Sequence, residues 1–527
     1  MGFIMTKQTV GRRTTFPGRA AGILAIALTI VPAAGAQPVS LSPTAMPRIG
    51  AVDERFQSFN TEMLEVTGGR FWKPYKDYPA GAKPVPMSAD LYQYRPPADL
   101  SQPRLRKLAA ALGPFYLRVS GTWANSTYFH DSDSPAPAAP PKGFNAVLTR
   151  AQWKGVVDFA RAANAQLMIS FAISDGTRDA NGVWAPDQAR ALLAYTKSIG
   201  GRIAAVEFMN EPTVADHGAA PKGYDAAAYG RDIAVFRPFL KQTAPEAIFV
   251  GPGSTMEGGK VKIPIQPGLV SEKLLQATGP VYDVFAYHLY SALSQRCGGA
   301  LPGLGTTAAA ALTAEWLSRN DTIHGYYVGL RDRFEPGKPI WLTETAETGC
   351  GGDPWSSTFL DTFRYLYQHA RLAQKGVQMI AHNTIFASDY ALLDEQTLDP
   401  HPNYWAALLW QRLMGTVVLD PGPDAKPDLY VYSQCTPGHR GGVTALAINA
   451  GAAPQELNAP LAGERYTLTA AQLEGTAVQL NGNELKASPD GTLPRIQGVA
   501  AKAGVIALPP KSITFVTFPQ AGNQACQ

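Results

Sequence analysis

The chain has 527 residues, with 46 Lys and Arg against 42 Asp and Glu, 45% hydrophobic residues, 50 Gly, 43 Pro and 4 Cys. Such a mixture belongs to a large globular fold with one big core and a smaller one, and excludes a disordered chain, a collagen and a small disulfide scaffold. The basic excess sits entirely in residues 1–36, so the remainder balances at 42 bases and 42 acids, unlike a general nucleic-acid or polyanion binder.

Residues 1–36 carry Lys7, Arg12, Arg13 and Arg19 and no acid, then an apolar run from Ala20 to Val31 and Ala34-Gly35-Ala36 just before Gln37. This order predicts a signal peptide cleaved near Ala36 and a secreted or periplasmic product. The run is well short of the ~20 residues that cross a bilayer, so no stable membrane insertion is expected. Arg12-Arg13 hints at twin-arginine export without completing its motif. An oxidising compartment permits bridges among Cys297, Cys350, Cys435 and Cys526, for which three pairings exist.

Residues 37–52 form an N-terminal segment expected to join a C-terminal sheet domain. From 53 to 415 short apolar runs alternate with helical patterns. Strands are predicted at 56–63, 115–121, 166–174, 203–211, 247–254, 282–290, 339–345 and 377–387, with helices such as 149–163, 187–199, 224–243 and 357–374 between them. The fold class is therefore α/β, a (β/α)₈ TIM barrel. After the helical stretch 404–414 the texture changes. Residues 416–527 show short alternating runs, such as 429–435, 442–451 and 512–518, between Gly, Pro and Asn turns, the pattern of a C-terminal β-sandwich domain. Cys435 in an early strand and Cys526 near the end would tie the C-terminus down.

In such a barrel the active site lies at the C-terminal strand ends, so polar residues closing an apolar strand are the informative ones. Glu211 is predicted to close strand four, after Asn210 and before Pro212, and Glu344 to close strand seven in Trp341-Leu342-Thr343-Glu344-Thr345. Two carboxylates across a barrel mouth suit glycoside hydrolysis, where one protonates the leaving oxygen and the other meets the oxocarbenium-like carbon. Asn210 is placed to bond the sugar 2-hydroxyl. His288 and Tyr290 end strand six at alternate spacing, so both are candidates to face the substrate pocket, and one or the other is expected to bond Glu344. Cys297 in the same loop and Cys350 after Glu344 would fasten two active-site loops. Glu62, Asn125 and Asn383 are candidate substrate contacts, Arg118 and Glu207 a buried supporting ion pair, and Glu347 a solvated or loop-fixing residue.

With VEFMNEP (206–212), WLTETAETGCGG (341–352), FYLRVSGTWANSTYF (115–129), FAYHLYS (285–291) and the run 388–419, the chain resembles glycoside hydrolase family 79, the heparanase and β-glucuronidase family. The resemblance implies a retaining mechanism with Glu211 as acid/base and Glu344 as nucleophile, and a Cys435–Cys526 bridge. It also implies that the uronic carboxylate is read by the glycine-rich loop 349–352, through Gly351 and Gly352, and by Tyr390. The chain departs from heparanase in having Gly349 where heparanase has a tyrosine and Cys350 where it has a glycine.

These readings predict an exo-acting β-glucuronidase that needs no metal and no organic cofactor, with a glucuronide-containing glycoside or oligosaccharide as substrate and no nucleic-acid partner. The alternatives are a heparanase-like endo-β-glucuronidase, for which Lys260 and Lys262 are the suggestive basic cluster, and a catalytically inactive carbohydrate-binding protein.

Overall fold

Eight parallel strands close on themselves: β1 (Gln57–Glu62), β2 (Phe115–Ser120), β3 (Ala165–Ile169), β4 (Ile203–Val206), β5 (Ile248–Ser254), β6 (Val284–Leu289), β7 (Ile340–Thr345) and β8 (Val377–His382). Each pairs with its sequence neighbour, and β8 pairs with β1 to complete the cylinder. This computed structural model describes residues 11, 38–79, 85, 88–259, 269–298, 303–422 and 426–527; the predicted signal segment, Gly11 apart, lies outside the described residues, as do Lys260 and Lys262. Pro38–Gln527 forms one unit.

The helices following the strands are α1 (Pro103–Ala110), α2 (Arg150–Ala162), α3 (Asp187–Ser198), α4 (Ala226–Thr243), α5 (Ser271–Thr278), α6 (Ala314–Phe334), α7 (Phe359–Gln374) and α8 (Pro402–Leu413). Their starts follow local chemistry: proline stands in the first turn of α1 and α8, Thr149 and Gln152 cap α2 reciprocally, and Asp225 caps α4. The strands are covered on both faces, which is why they read as continuous apolar runs. The barrel floor is filled by Tyr116, Met168, Val250, Trp341 and Met379, with the Tyr116 and Trp341 ring centroids 5.1 Å apart.

Three strands stop earlier than their apolar runs: β3 at Ile169, β4 at Val206 and β8 at His382. Beyond these points the chain stays buried but leaves the ladder. Glu207 N still bonds Ile169 O at 2.8 Å, whereas Asn210 N turns to the Asn125 side chain at 2.8 Å. A buried loop and a buried strand carry the same apolar signal, so periodicity alone overran the ends.

In the C-terminal region β9 (Val417–Leu419), β10 (Leu429–Cys435), β11 (Val443–Asn449), β12 (Gly463–Thr469) and β13 (Ser512–Phe518) lie in one antiparallel sheet in the order β9-β10-β11-β13-β12, with Arg48–Ala51 beside β9. A three-stranded sheet of Val39–Ser40, Gln455–Ala459 and Gly504–Leu508 faces it. Alternation along β11 sends Val443, Ala445 and Ala447 into the space between the sheets and Leu446 and Ile448 toward the barrel. The barrel element met there is α7, buried almost all round, whose Tyr367 packs edge-on against Tyr430 at 5.0 Å. Among the described residues no helix is long and apolar enough to cross a membrane.

Candidate active site

The side chain of Glu344 reaches the barrel interior because β7 is irregular. Trp341 and Glu344 stand three residues apart, an odd spacing that sends side chains of a regular strand to opposite faces. The β6–β7 register slips between Tyr287 and His288, so that His288 pairs with Glu344 while Tyr287 pairs with Leu342. The extra residue brings Glu344 inward above the Trp341 floor.

Arg118, in the middle of β2 and fully buried, is the hub of the site. Its Nε donates to Glu207 Oε2, its Nη1 to Glu344 Oε2 and its Nη2 to Asn210 Oδ1, each at 2.8 Å. Tyr290 donates to the other Glu344 oxygen at 2.7 Å. Both oxygens of Glu344 therefore accept hydrogen bonds, one of them from a guanidinium. The expected Arg118–Glu207 pair is present, but Arg118 reaches further, directly onto Glu344. The signal for this in the sequence was a lone charge inside an apolar strand, which has to find partners.

Glu211 lies five residues past the end of β4 rather than on it, in a left-handed backbone conformation (φ 47°, ψ 65°). Such a conformation in a non-glycine residue persists only where its surroundings hold it. Two neighbours do so. Asn125 brackets the Asn210 backbone, accepting from its N at 2.8 Å and donating to its O at 2.9 Å. Thr213 brackets the backbone of Thr255, after β5, with two bonds of 3.0 Å. Asn125, expected as a substrate contact, is buried and positions Asn210 through both its polar side-chain atoms.

His288 was expected beside Glu344; its Nδ1 lies 3.0 Å from Glu211 Oε1 and 3.7 Å from Glu344 Oε2. Arg118 Nη2 stands 3.3 Å from His288 Nε2 and can only donate, which assigns the ring proton to Nδ1, where it is donated to Glu211. Burial holds the imidazole down at about 4, with Arg118 adding to the effect and Glu344 opposing it. Burial pushes the Glu211 carboxyl up to about 7 against the opposing pull of Arg118. Glu211, His288 and Glu344 each bring an oxygen or nitrogen to within 4.8 Å of the others. The fixed guanidinium bonded to Glu344 makes this cluster a poor cation site, since it already supplies the positive charge there.

Behind Glu344 stands a polar wall. Asn383 Nδ2 lies 3.1 Å from Glu62 Oε1, 3.0 Å from Tyr390 Oη and 3.3 Å from Tyr290 Oη. Glu62, Asn383 and Tyr390 are all buried. The Glu62 carboxyl is held well above the usual range, first by burial and then by the charge of Glu344. Gly121 leaves Glu62 its place: a Cβ there would fall 1.5 Å from Glu62 Oε2. Gly121→Ala is accordingly expected to displace Glu62 and raise KM for substrate at least several-fold; unchanged KM and thermal midpoint would show that the wall tolerates the shift.

The glycine-rich turn closes the site. Cys350, Gly351 and Gly352 have φ of 65°, 79° and 86°. Cys297–Cys350 joins the loops after β6 and β7, and Cys435–Cys526 joins β10 to the C-terminus, the two pairings favoured from loop adjacency and from resemblance. Glu347, expected as a solvated or loop-fixing residue, is fully buried and fixes this turn by accepting from Thr348 Oγ1, Asp353 N and Ser356 Oγ.

No protein-family model matches the chain. Among curated proteins it is similar to heparanase-like protein 1 of Arabidopsis thaliana, 26% identical over 488 residues, covering 81% of this chain and 86% of the relative. Heparanase of Mus musculus is 28% identical over 490 residues, covering 81% of this chain and 88% of the relative. The chain is similar to heparanases over most of its length. It is also similar to inactive heparanase-2 of Mus musculus, 26% identical over 415 residues, covering 73% of this chain and 66% of that protein. The fold of this chain is similar to that of a 4-O-α-L-rhamnosyl-β-D-glucuronidase from Fusarium oxysporum 12S, with a TM-score of 0.59 at 13% identity over 91% of this chain and all of that one.

Proposed function

We propose that the protein is an exported retaining glycoside hydrolase that releases terminal glucuronic acid from glycosides or oligosaccharides. The observation that carries this reading is the approach of Glu211 and Glu344 oxygens to within 4.8 Å across the barrel mouth. Retaining enzymes hold their carboxyls about 5 Å apart, whereas inverting ones leave room for a water between them, at roughly 6.5–9.5 Å. Glu344, with a donor on each oxygen, is the nucleophile that attacks the anomeric carbon. Glu211, held protonated by burial, gives its proton to the leaving oxygen and later takes one from water. His288 aligns the Glu211 carboxyl from Nδ1, and Asn210, fixed through its oxygen by Arg118, presents its amide to the sugar.

The wall of Glu62, Asn383 and Tyr390 behind Glu344 supports removal of a terminal residue, because it gives the sugar pocket a closed end. Gly351, Gly352 and Tyr390 are the proposed readers of the uronic carboxylate; backbone N–H groups of glycines can approach an anion closely. Export is supported by the two disulfides and by the lack of a free cysteine among the described residues.

An aryl β-glucuronide should be cleaved with kcat/KM at least about tenfold above the matching aryl β-glucoside, one well-formed charged contact being worth that much. Equal values would remove the uronate reading. Mass spectrometry of products from uronide oligosaccharides should show only monosaccharide release, and internal fragments would identify endo action instead.

A further inference from the structure

One buried cation near the site has no role in the chemistry above. Arg296, in the loop after β6, is fully buried. Its Nη2 is paired with Asp389, the residue before Tyr390, and its guanidinium lies over the Tyr75 ring, 4.1 Å from the centroid. Its Nε and Nη1 have no hydrogen-bond partner among the described residues, an uncommon and costly condition for buried N–H groups. Tyr75 offers the guanidinium its π face and the polarity of its hydroxyl, but no hydrogen bond of good geometry to Nε or Nη1.

The guanidinium packs on the glycine-rich turn. A Cβ on Gly351 would fall 2.9 Å from Arg296 Nη1 and 2.7 Å from Trp72 Cγ, so only glycine allows the contact. On the same turn nothing among the described residues accepts from the N–H of Gly351 or Gly352. The arrangement is fixed from several sides. Cys297 beside Arg296 is bridged to Cys350 beside Gly351, Gln295 N donates to Asp353 at 2.8 Å, and Ser294 N donates to Gly349 O at 3.1 Å. A guanidinium remains protonated in proteins, and in a water-poor site its field reaches several ångströms. Free amides backed by an incompletely paired cation make a turn receptive to an anion.

We infer that Arg296 is a specificity-determining residue, whose buried charge behind Gly351 makes the glycine-rich turn select a carboxylate over a neutral hydroxymethyl group on the sugar. The inference rests on the uronate reading proposed above. Arg296 touches the turn and not the reacting atoms. It acts on binding of the carboxylate, so its effect belongs in KM for uronides.

The test compares kcat/KM for an aryl β-glucuronide and an aryl β-glucoside in wild-type protein, Arg296→Gln, Arg296→Lys and Asp389→Asn, with the thermal midpoint of each. Arg296→Gln should cut the glucuronide-to-glucoside ratio at least about tenfold, through a raised KM, while glucoside turnover stays within about twofold. Arg296→Lys, which keeps the charge, should retain most of the ratio. Asp389→Asn removes the counter-charge and should leave the ratio equal or higher, an outcome that loss of packing would not produce. If Arg296→Gln fails to fold, Arg296→Lys and Asp389→Asn still decide: a ratio that collapses in both overturns the inference. A ratio unchanged in Arg296→Gln overturns it alone and leaves the uronate reading standing. A wild-type enzyme indifferent to the carboxylate overturns both.

Discussion

Glu344→Gln is expected to lower kcat on an aryl β-glucuronide by roughly 10⁴-fold or more while the protein stays folded. The amide has the shape of the carboxylate, and its oxygen can still accept from Arg118 or Tyr290. Arg118 also keeps Glu207 and Asn210 as partners, so no bare buried charge is created. What disappears is the anionic oxygen that forms the bond to the anomeric carbon. Incubation of wild-type protein with a 2-deoxy-2-fluoro glucuronide bearing a good leaving group should add one sugar mass to the peptide containing Glu344. Undiminished turnover by the variant, or the label on another peptide, would remove Glu344 from the nucleophile role.

Glu211→Ala should show a different signature. Loss of a general acid costs about 10²–10⁴-fold where the leaving group needs a proton, and far less where it does not. The variant should therefore fail on alkyl and sugar aglycones, retain a first step on a dinitrophenyl glucuronide, and be accelerated by azide, which occupies the space left by the carboxyl and yields the β-glycosyl azide. The pH profile carries the same assignment. Burial raises the Glu211 carboxyl to about 7, so the acid is protonated and competent below that pH and lost as pH rises through it. The basic limb of kcat/KM should lie near 7 in the wild type and vanish in the variant with an activated substrate. A basic limb that persists, with no azide effect, would place the acid elsewhere.

His288 illustrates why these two carboxyls differ. The neutral imidazole donates a hydrogen bond from Nδ1 to Glu211, and the cation Arg118 donates one from Nη1 to Glu344. The guanidinium contacts the proposed nucleophile and not the proposed acid, which is the asymmetry that two carboxyls in separate roles require.

Much of this molecule was legible in its sequence. Alternating apolar runs and helical periods specify eight βα units, since burial on both faces of a parallel strand demands continuous apolar residues. A switch to short turn-bounded strands marks the sheet region. Glu211 and Glu344 stood out because an acid at the end of an apolar run has to face the barrel mouth, and Cys297 and Cys350 followed because the loops after neighbouring strands are adjacent in space. Only the tertiary structure decided that Glu211 sits in a left-handed turn beyond β4, that an irregular β7 swings Glu344 inward, that Arg118 binds Glu344 as well as Glu207, and that Arg296 lies behind Gly351. The physical reason is common to all four. Periodicity records how much of each side chain is hidden from water, whereas register slips, backbone handedness and the choice among ionic partners depend on which distant segments the closed barrel brings within a few ångströms.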